Sequence, residues 1–485
     1  MLNRRSFLSA STTLSAAAAC SGSVGFGTFE TFGTSELWAS IDRPIAIRLR
    51  DADPLARIPP NFMGLGYEMS SAASIGLLSV TNPRYLRLVS NLGPKGVLRI
   101  GGIVADYSSY QPLGQVVAEP KHTVVTRASL EQLSAFLNAT GWTAIWSVNF
   151  AQGTLEEAVA EARDVASILG AHLDAIEIGN EVENYGRGEK PFRKPPYPYE
   201  AYRAEYEAWH RAIANAVPGV RFAAPDTAAS TDWVERMAKD AKGEVQLLTT
   251  HYYRGGQRQG NAEQLTSADP DLKAKLERLE GASRESGVPW RMCETNSFFG
   301  GGLPGVSDTL LGALWTLDYM LLLAQFGCAG VNIETGVNQL GFVSSYSPIQ
   351  DDGKGSNTAG VPYYGMLAFA QAIAGSPEVL PIDLDAGGIN LTAYALGTGR
   401  KPHAVVVVNR DHSRDARVSI AKLGIHGATA LRLLSSSPEG KTGVTLGGAS
   451  VDAEGRWAAK QQERVGGGGV AVPRMSAVVL RSASR

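Results

Sequence analysis

Cysteine is scarce: three residues in 485. That count excludes a disulfide-stapled scaffold and every cysteine-rich metal motif. Charge of one sign is also missing, with 45 Lys and Arg against 47 Asp and Glu for a net charge of −2. No global basic field exists to hold nucleic acid or a membrane surface, so local groups must bind any anionic ligand. Long apolar runs are absent too, and no stretch is long enough to span a bilayer stably. What remains is a chain that is 44% hydrophobic and 19% charged, the balance of a globular protein with a large core.

The opening MLNRRSFLSASTTLSAAAAC pairs Arg4 and Arg5 with Phe7 and Leu8 ahead of a mildly apolar Ser/Thr/Ala stretch. Residues 1–20 therefore look like a twin-arginine export signal, and a periplasmic or extracellular location is expected. Cleavage after Ala19 leaves Cys20 at the new terminus, as in a lipoprotein, but no Leu stands three residues before it. Residues 21–43 read as a low-complexity linker. Only Cys293 and Cys328 are certain to remain after processing, and two buried free thiols are expected.

From residue 61 to 375 short apolar runs alternate with amphipathic stretches. Strands are expected at 62–68, 96–101, 143–149, 173–179, 221–225, 245–252, 290–294 and 330–335. Helices are expected at 82–92, 129–138, 155–169, 199–216, 232–239, 271–285, 308–326 and 362–373. Eight strands alternating with eight helices imply parallel strands and crossover helices, and the span fits one (β/α)₈ barrel. Residues 376–485 change to short β runs between glycine-rich turns, which predicts an appended antiparallel β-sandwich. The strand expected within 44–60 is predicted to join that sheet.

In such a barrel, a residue at the C-terminal end of a strand faces the active site. Glu181 ends the fourth strand in AIEIGNE, with Asn180 just before it, and Glu294 ends the seventh in WRMCETNSFFGGGLPGVSD. A helix is expected to begin near Ser307, with Asp308 in its first turn. Glycoside cleavage needs two flanking carboxyl groups, one protonated to assist the leaving oxygen and one ionised to attack or to activate water. The three glycines from Gly300 to Gly302 offer successive amides with no Cβ in the way, a concave site for a planar anion. A sharp turn is the bland alternative for them. His251 is expected to be a hydrogen-bonded structural histidine. Arg187, Lys190, Arg193, Lys194, Arg254 and Arg258 are expected to cluster at the mouth, as solvated loop charges or as a site for a polyanionic glycan.

These residues carry a resemblance. Asn-Glu after strand four with Glu after strand seven resembles the clan of retaining (β/α)₈ glycosidases. ETNSFFGGGLPGVSDT is similar to the nucleophile segment of glycoside hydrolase family 79, the heparanases and β-glucuronidases. LRIGG from Leu98, Asp106, and His251-Tyr252-Tyr253 match as well. The resemblance implies that Glu294 is the nucleophile and Glu181 the acid/base, and that Glu68 and Asp106 accept hydroxyl hydrogen bonds. It further implies that Tyr252 lines the cleavage subsite and that amides around Gly300 and Gly301 bind a uronic acid carboxylate. Asn180 is expected to meet a sugar hydroxyl, and Asn338, after strand eight, to donate to the carboxylate. Many relatives continue Asn-Glu with Pro, whereas Val182 follows here. The expected activity is retaining cleavage of β-linked glucuronic acid from glycans or glucuronides, without a metal or cofactor. A neutral-sugar β-glycosidase is the alternative within the same chemistry. A metal-dependent sugar isomerase or lyase is the alternative outside it, disfavoured because the other strand ends lack a His or Asp ligand cluster.

Overall fold

The computed structural model describes residues 44–119, 121–336, 344–351, 356–425, 427–466 and 469–482. The expected signal and linker, and Asn338, lie outside the described residues. Eight parallel strands close into a barrel in chain order: Gly64–Glu68, Val97–Gly101, Thr143–Val148, Leu173–Ile178, Phe222–Thr227, Leu247–Gly256, Trp290–Phe299 and Val331–Glu334. The two ends join where Ile333 pairs with Leu65. Helices follow the strands as the apolar periodicity requires. Leu155–Leu169, for example, opens on a capping box in which Thr154 and Glu157 satisfy each other's backbone donors.

Side-chain parity fixes what fills the barrel. Val97, Ile145, Ala175, Ala223, Leu247 and Cys293, one from each of six strands, form one interior apolar cluster. Two residues further along their strands, Arg99 and Glu177 turn inward above that layer, because side chains of one strand face alternate sides. Outward residues such as Leu98, Trp146 and Ile176 pack beneath the helices.

Strand seven breaks the alternation. Thr250 pairs with Met292 but His251 pairs with Glu294, so one extra residue is inserted on this strand. This β-bulge lets Cys293 and Glu294 both face the interior. The strand then runs on to Phe299, so Glu294 lies in mid-strand rather than at its end. The following helix is Leu310–Gln325, beginning later than expected. Asp308 precedes it, accepting the Gly305 N–H at 2.6 Å and pairing with Lys441 at 2.7 Å.

Beyond the barrel, an eight-stranded sheet and a four-stranded sheet share an apolar cluster that includes Ile47, Val405, Val407, Val418, Val472 and Val478. The strand Ile45–Leu49 belongs to the smaller sheet, antiparallel to Ile382–Leu384 and parallel to Ala416–Ser419. The sheets are tied to the barrel through buried Asp318, which pairs with Arg410 at 3.0 Å and accepts from the hydroxyls of Thr392 and Tyr394. Cys293 and Cys328 are both buried and unbonded.

Candidate active site

Arg99 organises the C-terminal mouth of the barrel. Its guanidinium is fully buried and donates to Glu294 Oε2 at 2.9 Å, Glu177 Oε2 at 3.0 Å, Asn180 Oδ1 at 2.9 Å and Asp226 Oδ2. Burial alone disfavours that charge, but Asp226, Glu177 and Glu294 outweigh it and hold the pKa well above the ordinary value. The other oxygen of Glu294 accepts the Tyr253 hydroxyl at 2.9 Å. That phenol stays protonated, since burial and the Glu294 charge both raise its pKa. Both carboxylate oxygens of Glu294 are thus held by donors.

Across the mouth, Glu181 follows strand four in a left-handed conformation, φ 48° and ψ 45°. Its Oε1 is 3.4 Å from His251 Nδ1, and Asn184 Nδ2 approaches Oε2 at 3.4 Å. His251 Nε2 lies 2.9 Å from Asp226 Oδ1. Burial pulls the imidazole pKa down, but Asp226 and Glu294 override it and carry the value well above the ordinary one. An oxygen of Glu181, a nitrogen of His251 and an oxygen of Glu294 lie within 4.8 Å of one another.

Three further carboxyls surround this pair. Glu68, almost fully buried, accepts the Val104 N–H at 2.8 Å. Asp106 accepts the Tyr185 hydroxyl at 2.6 Å, and burial raises its pKa well above the carboxylate range despite that bond. Glu334, ending strand eight, is raised likewise by burial and then by Glu294 and Glu68. A protonated carboxyl can donate as well as accept, so Asp106 and Glu334 add potential donors to the pocket wall.

The tyrosine assigned to the subsite needs correcting. Tyr252 faces out of the barrel, where its hydroxyl donates to Asp269 at 2.6 Å and its ring stacks on Tyr319. Since His251 faces inward, its neighbour in sequence cannot, and the residue beyond it must. Tyr253, not Tyr252, therefore faces the interior, with its hydroxyl on Glu294. Arg254 shares the outward parity and pairs with Asp269 at 3.3 Å. Arg193 is likewise committed, to Glu205 at 2.8 Å and to the carbonyls of Phe150 and Ala151. Neither is available at the mouth for a polyanion. Arg187, Lys190, Lys194 and Arg258 are exposed.

Gly300, Gly301 and Gly302 have φ of 89°, 97° and 79°, a run that residues with a Cβ rarely adopt. The Gly302 N–H bonds Phe298 O at 3.0 Å, and Gly301 O accepts the Ser345 N–H at 2.7 Å. A Cβ on Gly302 would stand 2.7 Å from Tyr346 N. Phe299 meets the edge of Tyr253 at 6.2 Å between centroids, and Tyr253 lies 6.3 Å from Tyr346. The glycine loop thus adjoins the ring that grips Glu294.

Two clusters have the composition of cation sites, Glu177–Asp226–Cys293 and Glu181–His251–Glu294. In the first, both carboxylates already hold Arg99. In the second, a cation would sit against the Arg99 guanidinium and a protonated imidazole. Neither set of donors suits a metal.

No family profile matches the chain. A β-glucuronidase of Aspergillus niger is 24% identical over 380 residues, covering 69% of this chain and 68% of that protein. A β-glucuronidase of Neurospora crassa is 30% identical over 154 residues, 30% of this chain and 27% of that protein. Among solved structures, a 4-O-α-L-rhamnosyl-β-D-glucuronidase of Fusarium oxysporum superposes with a TM-score of 0.73 at 19% identity, covering 90% of this chain and 100% of that one. A GH51 arabinofuranosidase of Xanthomonas axonopodis pv. citri gives 0.64 at 16% identity, over 91% and 100%. The similarity to these structures shows a shared barrel with additional sheets. Together with the opposed carboxylates and the relatives found by sequence, it defines the chain as a glycosidase.

Proposed function

We propose that this glycosidase is a retaining β-glucuronidase, with Glu294 as nucleophile and Glu181 as acid/base. The observation that carries the mechanism is the approach of their carboxylate oxygens to within 4.8 Å. Retaining enzymes place their carboxyl groups about 5–5.5 Å apart, whereas inverting enzymes need roughly 6.5–9.5 Å to admit a water. In the first step Glu294 attacks the anomeric carbon while Glu181 protonates the departing oxygen. In the second, Glu181 takes a proton from water, which attacks the same carbon and releases the sugar from Glu294. Arg99 and Tyr253 hold Glu294 aimed, each donating to one of its oxygens. In this reading Glu68 and Asp106 bind sugar hydroxyls.

The uronate preference is supported by the two sequence relatives, both β-glucuronidases, and by the left-handed glycine loop beside Tyr253 and Tyr346. A heparanase-like substrate draws no support from Arg193 or Arg254, which are turned to internal partners. Export through the Arg4-Arg5 signal is part of the proposal and is tested by fractionating cells that express the full chain. The activity is tested by comparing aryl β-glucuronide with aryl β-glucoside, with and without chelator, and reading the first product anomer by NMR. A β-anomer formed from the glucuronide, unaffected by chelator, is the expected result. An α-anomer, or equal turnover of the glucoside, contradicts the assignment.

A further inference from the structure

Glu181 stands in a left-handed conformation that a residue with a Cβ rarely adopts, so its surroundings must hold it there. Its own N–H bonds Asp226 O at 2.8 Å and its carbonyl accepts the Asn184 N–H at 2.8 Å. The further anchor is Glu183, two residues on and only 6% exposed. Its carboxylate accepts three consecutive backbone N–H groups, from Ala228 at 3.1 Å, Ala229 at 2.9 Å and Ser230 at 3.1 Å. These amides lead into the helix Thr231–Asp240, where unpaired donors favour an anion.

Lys275 completes the arrangement from behind. It projects from the helix Pro270–Ser286, and its Nζ donates to Ala229 O at 3.3 Å, Thr250 Oγ1 at 2.9 Å and His251 O at 2.9 Å. The segment that Glu183 grips is thus bonded, through the Lys275 ammonium, to the strand that carries His251. His251 in turn faces Glu181.

We propose that Glu183 and Lys275 are positioning residues that hold Glu181 over the leaving group. The inference rests on the assignment of Glu181 as acid/base. It separates these residues from ordinary loop ties, because in kcat/KM, which reports the first step, misplacing a general acid harms only substrates whose leaving group needs a proton.

The test compares kcat/KM for methyl β-glucuronide, whose methoxide requires protonation, with that for dinitrophenyl β-glucuronide, whose phenolate does not. Glu183→Gln should lose about tenfold or more on the methyl substrate and less than about twofold on the dinitrophenyl one, within the range that general acid catalysis contributes. Lys275→Met should show the same selectivity and serves if Glu183→Gln fails to fold. Glu181→Ala is run beside them. If Glu181→Ala is selective while folded Glu183→Gln and Lys275→Met lower both substrates equally, the two residues are structural and the inference is overturned. If Glu181→Ala itself is not selective, the acid/base assignment fails instead.

Discussion

Tyr253 and Arg99 grip opposite oxygens of Glu294, each at 2.9 Å. One donor is neutral and the other cationic, and together they fix the plane of the carboxylate. Hydrogen bonds to charged groups contribute about 1.5–3 kcal/mol, equivalent to roughly ten- to a hundredfold in rate at about 1.4 kcal/mol per factor of ten. Tyr253→Phe should lose turnover in that range with KM little changed. Tyr252→Phe, which removes only the bond to Asp269, should leave turnover near wild type. Steady-state kinetics on an aryl glucuronide distinguishes the two tyrosines, and a larger loss at Tyr252 would refute the inward assignment of Tyr253.

Uronate selectivity should depend on the glycine loop. Gly301→Val places a β-branched residue at φ 97°, which glycine alone adopts without strain. The variant should lose most glucuronidase activity while any weak glucosidase activity falls much less. Equal losses in a folded variant would make the loop a structural turn.

Glu161 provides a stability test remote from the chemistry. Its Oε1 accepts the Trp146 Nε1–H at 2.8 Å beneath a barrel strand, and burial pushes its pKa up to about 7. The folded state therefore binds a proton that the unfolded chain releases near pH 4.5, and stability falls as pH rises from there to about 7. The rise from 4.5 to about 7 corresponds to at most about 3.5 kcal/mol, at about 1.4 kcal/mol per tenfold change in proton affinity. Glu161→Gln keeps the acceptor and removes the titration. Its melting temperature should exceed that of wild type at pH 8, and the advantage should vanish near pH 4. An advantage independent of pH would contradict the raised pKa.

The eight barrel strands and the helices between them are legible in the sequence because short apolar runs alternate with amphipathic stretches of period about 3.6. Leu155–Leu169 and Tyr199–Ala216 coincide with their expected bounds. Arg99 is visible in the sequence as a charge inside an apolar strand, and Glu177 sits in a similar setting in AIEIGNE. Their inward parity carries that signal, since a buried charge on a barrel strand needs a partner across the interior. The same parity, applied from His251, would have chosen Tyr253 over Tyr252. The bulge at Cys293 and Glu294 was hidden for a different reason. An inserted residue is defined by the pairing of neighbouring strands, which no local pattern records. The commitment of Arg193 and Arg254 to internal partners depends equally on segments distant in sequence.

Glu294 should become covalently bound to the sugar during turnover. A fluorinated glucuronyl fluoride, which slows breakdown of the intermediate more than its formation, should inactivate the enzyme. Intact mass should then rise by one glycosyl unit, and peptide mapping should place the label on Glu294, with none formed in Glu294→Gln. A label on another residue, or turnover with no accumulated adduct and an inverted product, would contradict the account.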